Sequence, residues 1–308
     1  MEKEIFDMIV LGGGPAGYTA ALYGARAGLS VLVLEKLSPG GQLATTDVIE
    51  NYPGFSEGIH GFELAMKMKQ GAEKFGAKSK LAEVISVSLS GESKELQTKK
   101  ETFFAKTVVL AAGAVPRELG VPGERELRGK GVSYCATCDG MFYKGKTVAV
   151  VGGGNTAAAD ALYLSRLCEK VYLIHRRDAL RASKSYHKPL KQAGNIEFVW
   201  KSQVTALRQE NTLTGLTVKE NDTGEERELP CDGLFIAVGH VPETSLFRDQ
   251  LALDEAGYIP ADETTRTELP GVFAVGDLRK KPLRQVVTAA ADGAVAAYFA
   301  EEFLSTKK

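Results

Sequence analysis

Two cysteines three positions apart, Cys135 and Cys138, lie in the stretch SYCATCDG near the middle of a 308-residue chain. Three chemistries are open to such a pair. A zinc site needs four ligands, commonly a second cysteine pair or histidines at ligand spacing. Cys168 and Cys231 stand alone in apolar surroundings, where they read as small buried hydrophobes. His60, His175, His187 and His240 are not paired at ligand spacing either. A structural staple across two intervening residues closes almost no loop and removes little chain entropy. Redox chemistry remains. The short spacing makes ring closure fast, and a helix starting after Cys135 would draw a thiol pKa toward the reactive range. Two roles stay open for Asp139: local helix cap or proton carrier.

What must position this pair is a repeat. IFDMIVLGGGPAG ends in Gly12-x-Gly14-x-x-Gly17, and TVAVVGGGNTA ends in Gly152-x-Gly154-x-x-Ala157, at a constant offset of 140 positions. Each apolar run reads as a buried parallel strand, each is followed by a helical pattern, and a second apolar strand follows at matching distance. The pattern predicts two dinucleotide-binding βαβ units. The first glycine permits a tight turn, the second lets backbone approach a pyrophosphate, and the third position allows close helix–strand packing. The helix N-terminus then offers free N–H groups to phosphate.

The ends of the second strands differ. The first carries Glu35, an acceptor suited to ribose hydroxyls and hostile to a 2′-phosphate. The second carries His175, then Arg176, Arg177 and Arg181, a guanidinium cluster suited to a 2′-phosphate. The expectation is FAD in the first unit and NADPH in the second, against the alternative of a solvated basic helix start. The Gly/Pro-rich loop at 38–54 offers Gln42 and Asn51 as amides for a flavin. The strand GVFAVGD delivers Asp277 after Gly276, either for a ribityl hydroxyl or as an ordinary turn residue. A helix starting near 286, after Arg284 and Gln285, would aim its positive end at a reduced flavin.

The predicted fold class is therefore α/β, with two Rossmann-like domains of three-layer ββα/βαβ type. An NADPH domain at 115–245, carrying the cysteine pair, is inserted in an FAD domain of 1–114 and 246–308. Lys+Arg (38) and Asp+Glu (39) nearly cancel, so no global field favours nucleic acid or an anionic membrane. The N-terminus lacks the pattern of a signal peptide, and no apolar run approaches the roughly 18 residues of a membrane span. A cytoplasmic, reducing location is expected.

With GGGPAG, GGQL, ENYPG, CATCDG, GGGNTA, HRRDALRASK, AVGHVP and GVFAVGD spread over nearly the whole chain, the sequence resembles the low-molecular-weight bacterial-type thioredoxin reductases. The resemblance implies a homodimer that passes electrons from NADPH to FAD, to the cysteine pair, and to the disulfide of thioredoxin. It implies that Cys138 is the thiol next to the flavin, Cys135 attacks thioredoxin, and Asp139 moves a proton. Its FAD contacts would fall on Gly12, Gly14, Pro15, Ala16, Gly17, Glu35 and Lys36. They would continue through Gly41, Gln42, Leu43, Asn51, Ala112 and Gly113, and through Gly276, Asp277, Arg284, Gln285 and Val286. Its NADPH contacts would fall on Gly152, Gly154, Asn155, Thr156, Ala157, His175, Arg176, Arg177, Arg181 and Gly239. It also implies rotation of the inserted domain on crossovers near 114–118 and 241–246.

Three places depart from the family pattern. Ala158-Ala159-Asp160 replaces a pair of adjacent acidic residues, Met141-Phe142 replaces two aromatics, and Lys130 stands where an arginine is usual. The competing functions are reduction of another thioredoxin-like or peroxiredoxin-linked protein, a flavin dithiol oxidase, and a non-enzymatic nucleotide sensor. The arginine cluster argues against the oxidase, and the cysteine pair against the sensor.

Overall fold

The computed structural model describes residues 4–46 and 48–306; Asp47, within the loop expected to hold the flavin, lies outside the described residues. The chain divides into two compact units, Met1–Val115 with Val241–Lys308, and Pro116–His240. The crossovers fall at 115/116 and 240/241, so the return comes a few residues earlier than the expected 245/246.

In the first unit a seven-stranded sheet runs in the order Lys78–Leu81, Val31–Glu35, Ile5–Leu11, Thr102–Leu110, Lys94–Thr98 and Val84–Ser88, with Val272–Ala274 joining Thr102–Leu110. The nine-residue strand Thr102–Leu110 serves two partners. Its first half pairs antiparallel with Lys94–Thr98, and its second half pairs parallel with Val272–Ala274. The C-terminal part of the chain thereby returns to the same sheet as the N-terminal strand. Helices Pro15–Arg26 and Val286–Ser305 cross closely, because a side chain at Gly293 would meet the carbonyl oxygen of Ala16. A core of Met8, Val10, Tyr18, Val33, Val109 and Phe273 lies under these helices. A second cluster on the other sheet face includes Ile9, Leu34, Leu96, Leu110 and Phe247.

In the second unit a five-stranded parallel sheet runs Val132–Ser133, Gly233–Ile236, Thr147–Val151, Lys170–Ile174 and Ile196–Val199. Its three inner strands are buried along nearly their whole length, as a sheet covered on both faces requires. Helices Asn155–Ser165 and Lys184–Gln192 belong to one face, and the antiparallel strands Ser202–Gln209, Leu213–Glu220 and Glu226–Pro230 form a separate sheet. The repeat is reproduced at the level of register: Met8 lies opposite Val31, and Val148 opposite Val171.

Candidate functional sites

The first glycine turn shows the division of labour read from its sequence. A Cβ at Gly12, where φ is +109°, would strike the carbonyl oxygen of Ala111, and one at Gly17 would strike that of Gly12. Gly14 is different: its nearest neighbour would be Gly40 O at 3.9 Å, so its surroundings are open. Pro15 and Ala16 begin the helix, where proline loses no hydrogen bond. Glu35 accepts N–H bonds from Gly13 at 2.6 Å and from Leu37 at 3.1 Å. This bracing is invisible in the sequence. It leaves lone pairs of the carboxylate for ribose hydroxyls. Lys36 is exposed and paired with Glu83 at 2.9 Å.

Further pieces gather in the same unit. Gly41 and Gln42 lie in a short 3-10 helix, Gly41–Thr45, where a plain loop was expected, with Leu43 buried beneath it. The Gln42 amide donates to the carbonyl of Ala114, which follows Ala112 and Gly113 after the long strand. Asn51 Nδ2 donates to Gln285 Oε1 at 3.1 Å, and Gln285 caps the helix that begins at Val286. Two buried polar atoms at this place have no partner among the described residues: Oδ1 of Asp277 and Nε of Arg284, whose guanidinium lies over the Tyr258 ring at 4.3 Å. Burial pushes the Asp277 carboxyl up, against the charges of Arg284 and Lys281. Orphaned buried groups of this kind call for a polar ligand, which is the demand a dinucleotide's hydroxyls and phosphates would meet. The residues present fit such a group.

Sequence reasoning missed what holds Gly276 and Asp277 in place. Asp292 is buried, accepts the Gly276 N–H at 2.9 Å, and is gripped by Arg279 through bonds of 2.9 and 2.8 Å and by Lys281 at 2.7 Å. Burial raises its pKa, but the bonds to Arg279 and Lys281 bring it below the ordinary carboxylate value. The spacing of Arg279, Lys281 and Asp292 gives no periodic signal; only the fold of the helix against the turn joins them.

In the second unit a Cβ at Gly152 would strike the carbonyl oxygen of Ala237, Gly154 is open, and fully buried Ala157 takes the third position. Asn155 Oδ1 accepts the Ser183 N–H at 2.7 Å, while Thr156 is exposed. The His175 ring packs against Gly153 where Glu35 sits in the first copy. Burial and the charges of Arg181, Arg176 and Arg177 depress its pKa, and its Nε2 has no partner among the described residues. The three arginines are exposed on an irregular segment, and the next helix starts only at Lys184, so they are not a basic helix start. Gly239 lies at the crossover, its carbonyl accepting the Arg117 N–H at 2.9 Å.

Cys135 and Cys138 form a disulfide with Cα atoms 5.3 Å apart. Strand Val132–Ser133 delivers them, and Cys135 is the N-cap of the short helix Ala136–Asp139. Asp139 ends that helix and occupies the N-cap position of the 3-10 turn Gly140–Tyr143, where its side chain makes no capping bond. Its Oδ2 accepts the Ser133 hydroxyl at 2.6 Å, and Ser133 Oγ accepts the Cys135 N–H at 3.1 Å. Burial raises the Asp139 pKa, opposed by the Ser133 bond and the Arg128 charge. A half-buried acid bonded toward a cysteine backbone is equipped to hold and release a proton. Tyr134 donates to buried Glu124 at 2.7 Å, a carboxylate that also takes the amides of Leu119, Gly120 and Val121. Cys168 and Cys231 are buried and free, as expected. Among the described residues no group of three or more His, Cys, Asp or Glu could hold a metal ion, and no helix is long and apolar enough to cross a membrane.

Residues 6–293 match the family described as pyridine nucleotide-disulphide oxidoreductase. The chain belongs to that family. Membership implies a flavin and a pyridine nucleotide. The chain is 48% identical to a thioredoxin reductase of Streptomyces clavuligerus over 98% of its length and 95% of the relative's. It is 44% identical to that of Bacillus subtilis, over 100% and 98%. The crystal structure of thioredoxin reductase from Streptococcus pyogenes superimposes with a TM-score of 0.91 at 40% identity, covering 99% of this chain and all of that one.

Proposed function

We propose that this oxidoreductase is an NADPH-dependent thioredoxin reductase, with FAD in the unit formed by Met1–Val115 and Val241–Lys308 and NADPH in Pro116–His240. The observation that carries the reading is the Cys135–Cys138 disulfide beside Asp139, built into the unit whose second strand ends in arginines. The relatives named thioredoxin reductases over the full chain support the same substrate class. Bound FAD would relay two electrons from nicotinamide to the disulfide.

The protein's own residues perform the rest. Glu35 and the open turn at Gly14 hold the adenosine end, and Asp277, Arg284 and Gln285 hold the middle of the cofactor. Arg176, Arg177 and Arg181 read the 2′-phosphate. Reduction of the disulfide consumes two electrons and two protons, and Asp139 handles a proton at Cys138. The Cys135 thiolate then attacks thioredoxin's disulfide. Cys138 displaces the mixed disulfide, restoring the internal bond and releasing the reduced partner. The enzyme acts as a homodimer in a reducing compartment, and the inserted unit rotates on its two crossovers between half-reactions. One relative, from Lactococcus lactis, is described in an FR conformation, which supports that rotation.

Purified holoprotein mixed with NADPH and thioredoxin should generate two thioredoxin thiols for each NADPH oxidised. Cys138→Ser should still bleach its flavin with NADPH while losing disulfide reduction. Turnover retained in that variant would overturn the role of the pair.

A further inference from the structure

The arginine segment is held at both ends, and at its first end the holding residues Lys201, Ser202 and Asn221 lie outside every nucleotide-binding motif. Three consecutive carbonyls are each occupied. His175 O accepts the N–H of Ser202 at 3.1 Å, Arg176 O accepts Nδ2 of Asn221 at 2.8 Å, and Arg177 O accepts the N–H of Lys201 at 3.1 Å. At the other end of the segment, Gly153 O accepts the amides of Arg181 and Ala182 at 2.7 and 3.0 Å. The loop is thus tied both to the glycine turn and to the start of the antiparallel sheet.

Asn221 is itself fixed. Its N–H donates to Lys201 O at 2.7 Å, and its Oδ1 accepts Nε2 of Gln203 at 2.6 Å, so its amide points its donor at Arg176. Lys201 adopts φ +49°, a left-handed conformation that a non-glycine residue keeps only where its surroundings impose it. Its ammonium holds Asp222 at 2.5 Å, which occupies a carboxylate close to the segment. Trp200 precedes this turn, stacked on Phe198 at 4.9 Å and edge-on to the His175 ring at 6.5 Å. Among the described residues none of the three guanidiniums is paired with a carboxylate.

Three like charges on one short segment repel, and an untethered segment would let them splay apart. Tying the carbonyls of His175, Arg176 and Arg177 narrows the paths open to the backbone, and the arginine side chains stay exposed as donors. An anion then meets forks already in place, with less ordering left to do on binding.

We propose that Asn221, with the Trp200–Ser202 turn, is a positioning element for coenzyme specificity: it sets the affinity for the 2′-phosphate without touching it. The inference rests on the assignment of the arginine cluster to NADPH. The test uses the holoenzyme and calorimetric titration with 2′,5′-ADP and with 5′-AMP. Asn221→Ala should weaken 2′,5′-ADP about five-fold, the scale of one net hydrogen bond, and leave 5′-AMP within about two-fold. The KM for NADPH should rise in parallel while that for NADH holds. Gln203→Ala, which frees the Asn221 amide to turn, should shift 2′,5′-ADP in the same direction by less. Equal weakening of both ligands, or none, in an Asn221→Ala protein of unchanged melting temperature would overturn the proposal. Arg176→Ala separates the two layers. If it also fails to distinguish the ligands, the coenzyme assignment falls; if it does distinguish them while Asn221→Ala does not, only the positioning role falls.

Discussion

The side chain with the clearest unsettled titration is Asp160, on the helix that follows the second glycine turn. Burial alone pushes its carboxyl up to about 7. The folded state therefore keeps a proton that the unfolded chain gives up near the ordinary value of 3.8. Stability from this group is complete below the lower value and is lost as pH rises toward 7. Asp160→Asn cannot titrate and should be the more stable protein at pH 8 by about 1 kcal/mol or more, with little difference near pH 4. Denaturant midpoints across that range check it, and parallel curves for the two proteins would refute it. The same helix carries Ala159 where the family pattern has an acid, so Asp160 meets this burial without an acidic neighbour at that position.

At the scale of elements, the C-terminal helix Val286–Ser305 has two duties. One face packs on Pro15–Arg26 through small residues, and Asp292 reaches back to the turn that carries Asp277. Removing the carboxylate leaves Arg279 and Lys281 as unpaired buried cations. Asp292→Ala should lower stability by about 3–5 kcal/mol, the range for breaking a buried ion pair. It should also release flavin, because the Gly276 amide loses its anchor. Chemical unfolding and the flavin-to-protein absorbance ratio measure the two effects. A variant with full flavin content and an unchanged midpoint would show that the turn holds itself.

The whole chain contains two sets of cores, each made within its own unit. Met8, Val33 and Phe273 belong to one, and Val150, Leu173 and Phe235 to the other. Ligands that bind one unit should therefore stabilise that unit selectively. Calorimetric scans should show 2′,5′-ADP at about 100 times its Kd raising one transition by the equivalent of roughly 2.7 kcal/mol. Stripping FAD should lower the other. A single transition responding equally to both treatments would mean that the units unfold as one.

The glycine turns, the strand–helix–strand repeat and the cysteine pair were legible because each is a local pattern. Burial of parallel strands forces apolar runs, and phosphate approach forces glycine at fixed spacing. The difference between Glu35 and the arginine cluster was legible for the same reason, since the repeat fixes where the second strand ends. Tertiary structure alone decided the partners of these residues. The Glu35 bridge to Gly13, the grip of Arg279 and Lys281 on Asp292, and the Asn221 tether to Arg176 join residues 22, 13, 11 and 45 positions apart. No periodicity links such pairs. Hydrogen bonds between distant residues exist only once sheets and helices have brought the chain together, so the sequence determined which chemistry is present and the fold determined which groups hold it in place.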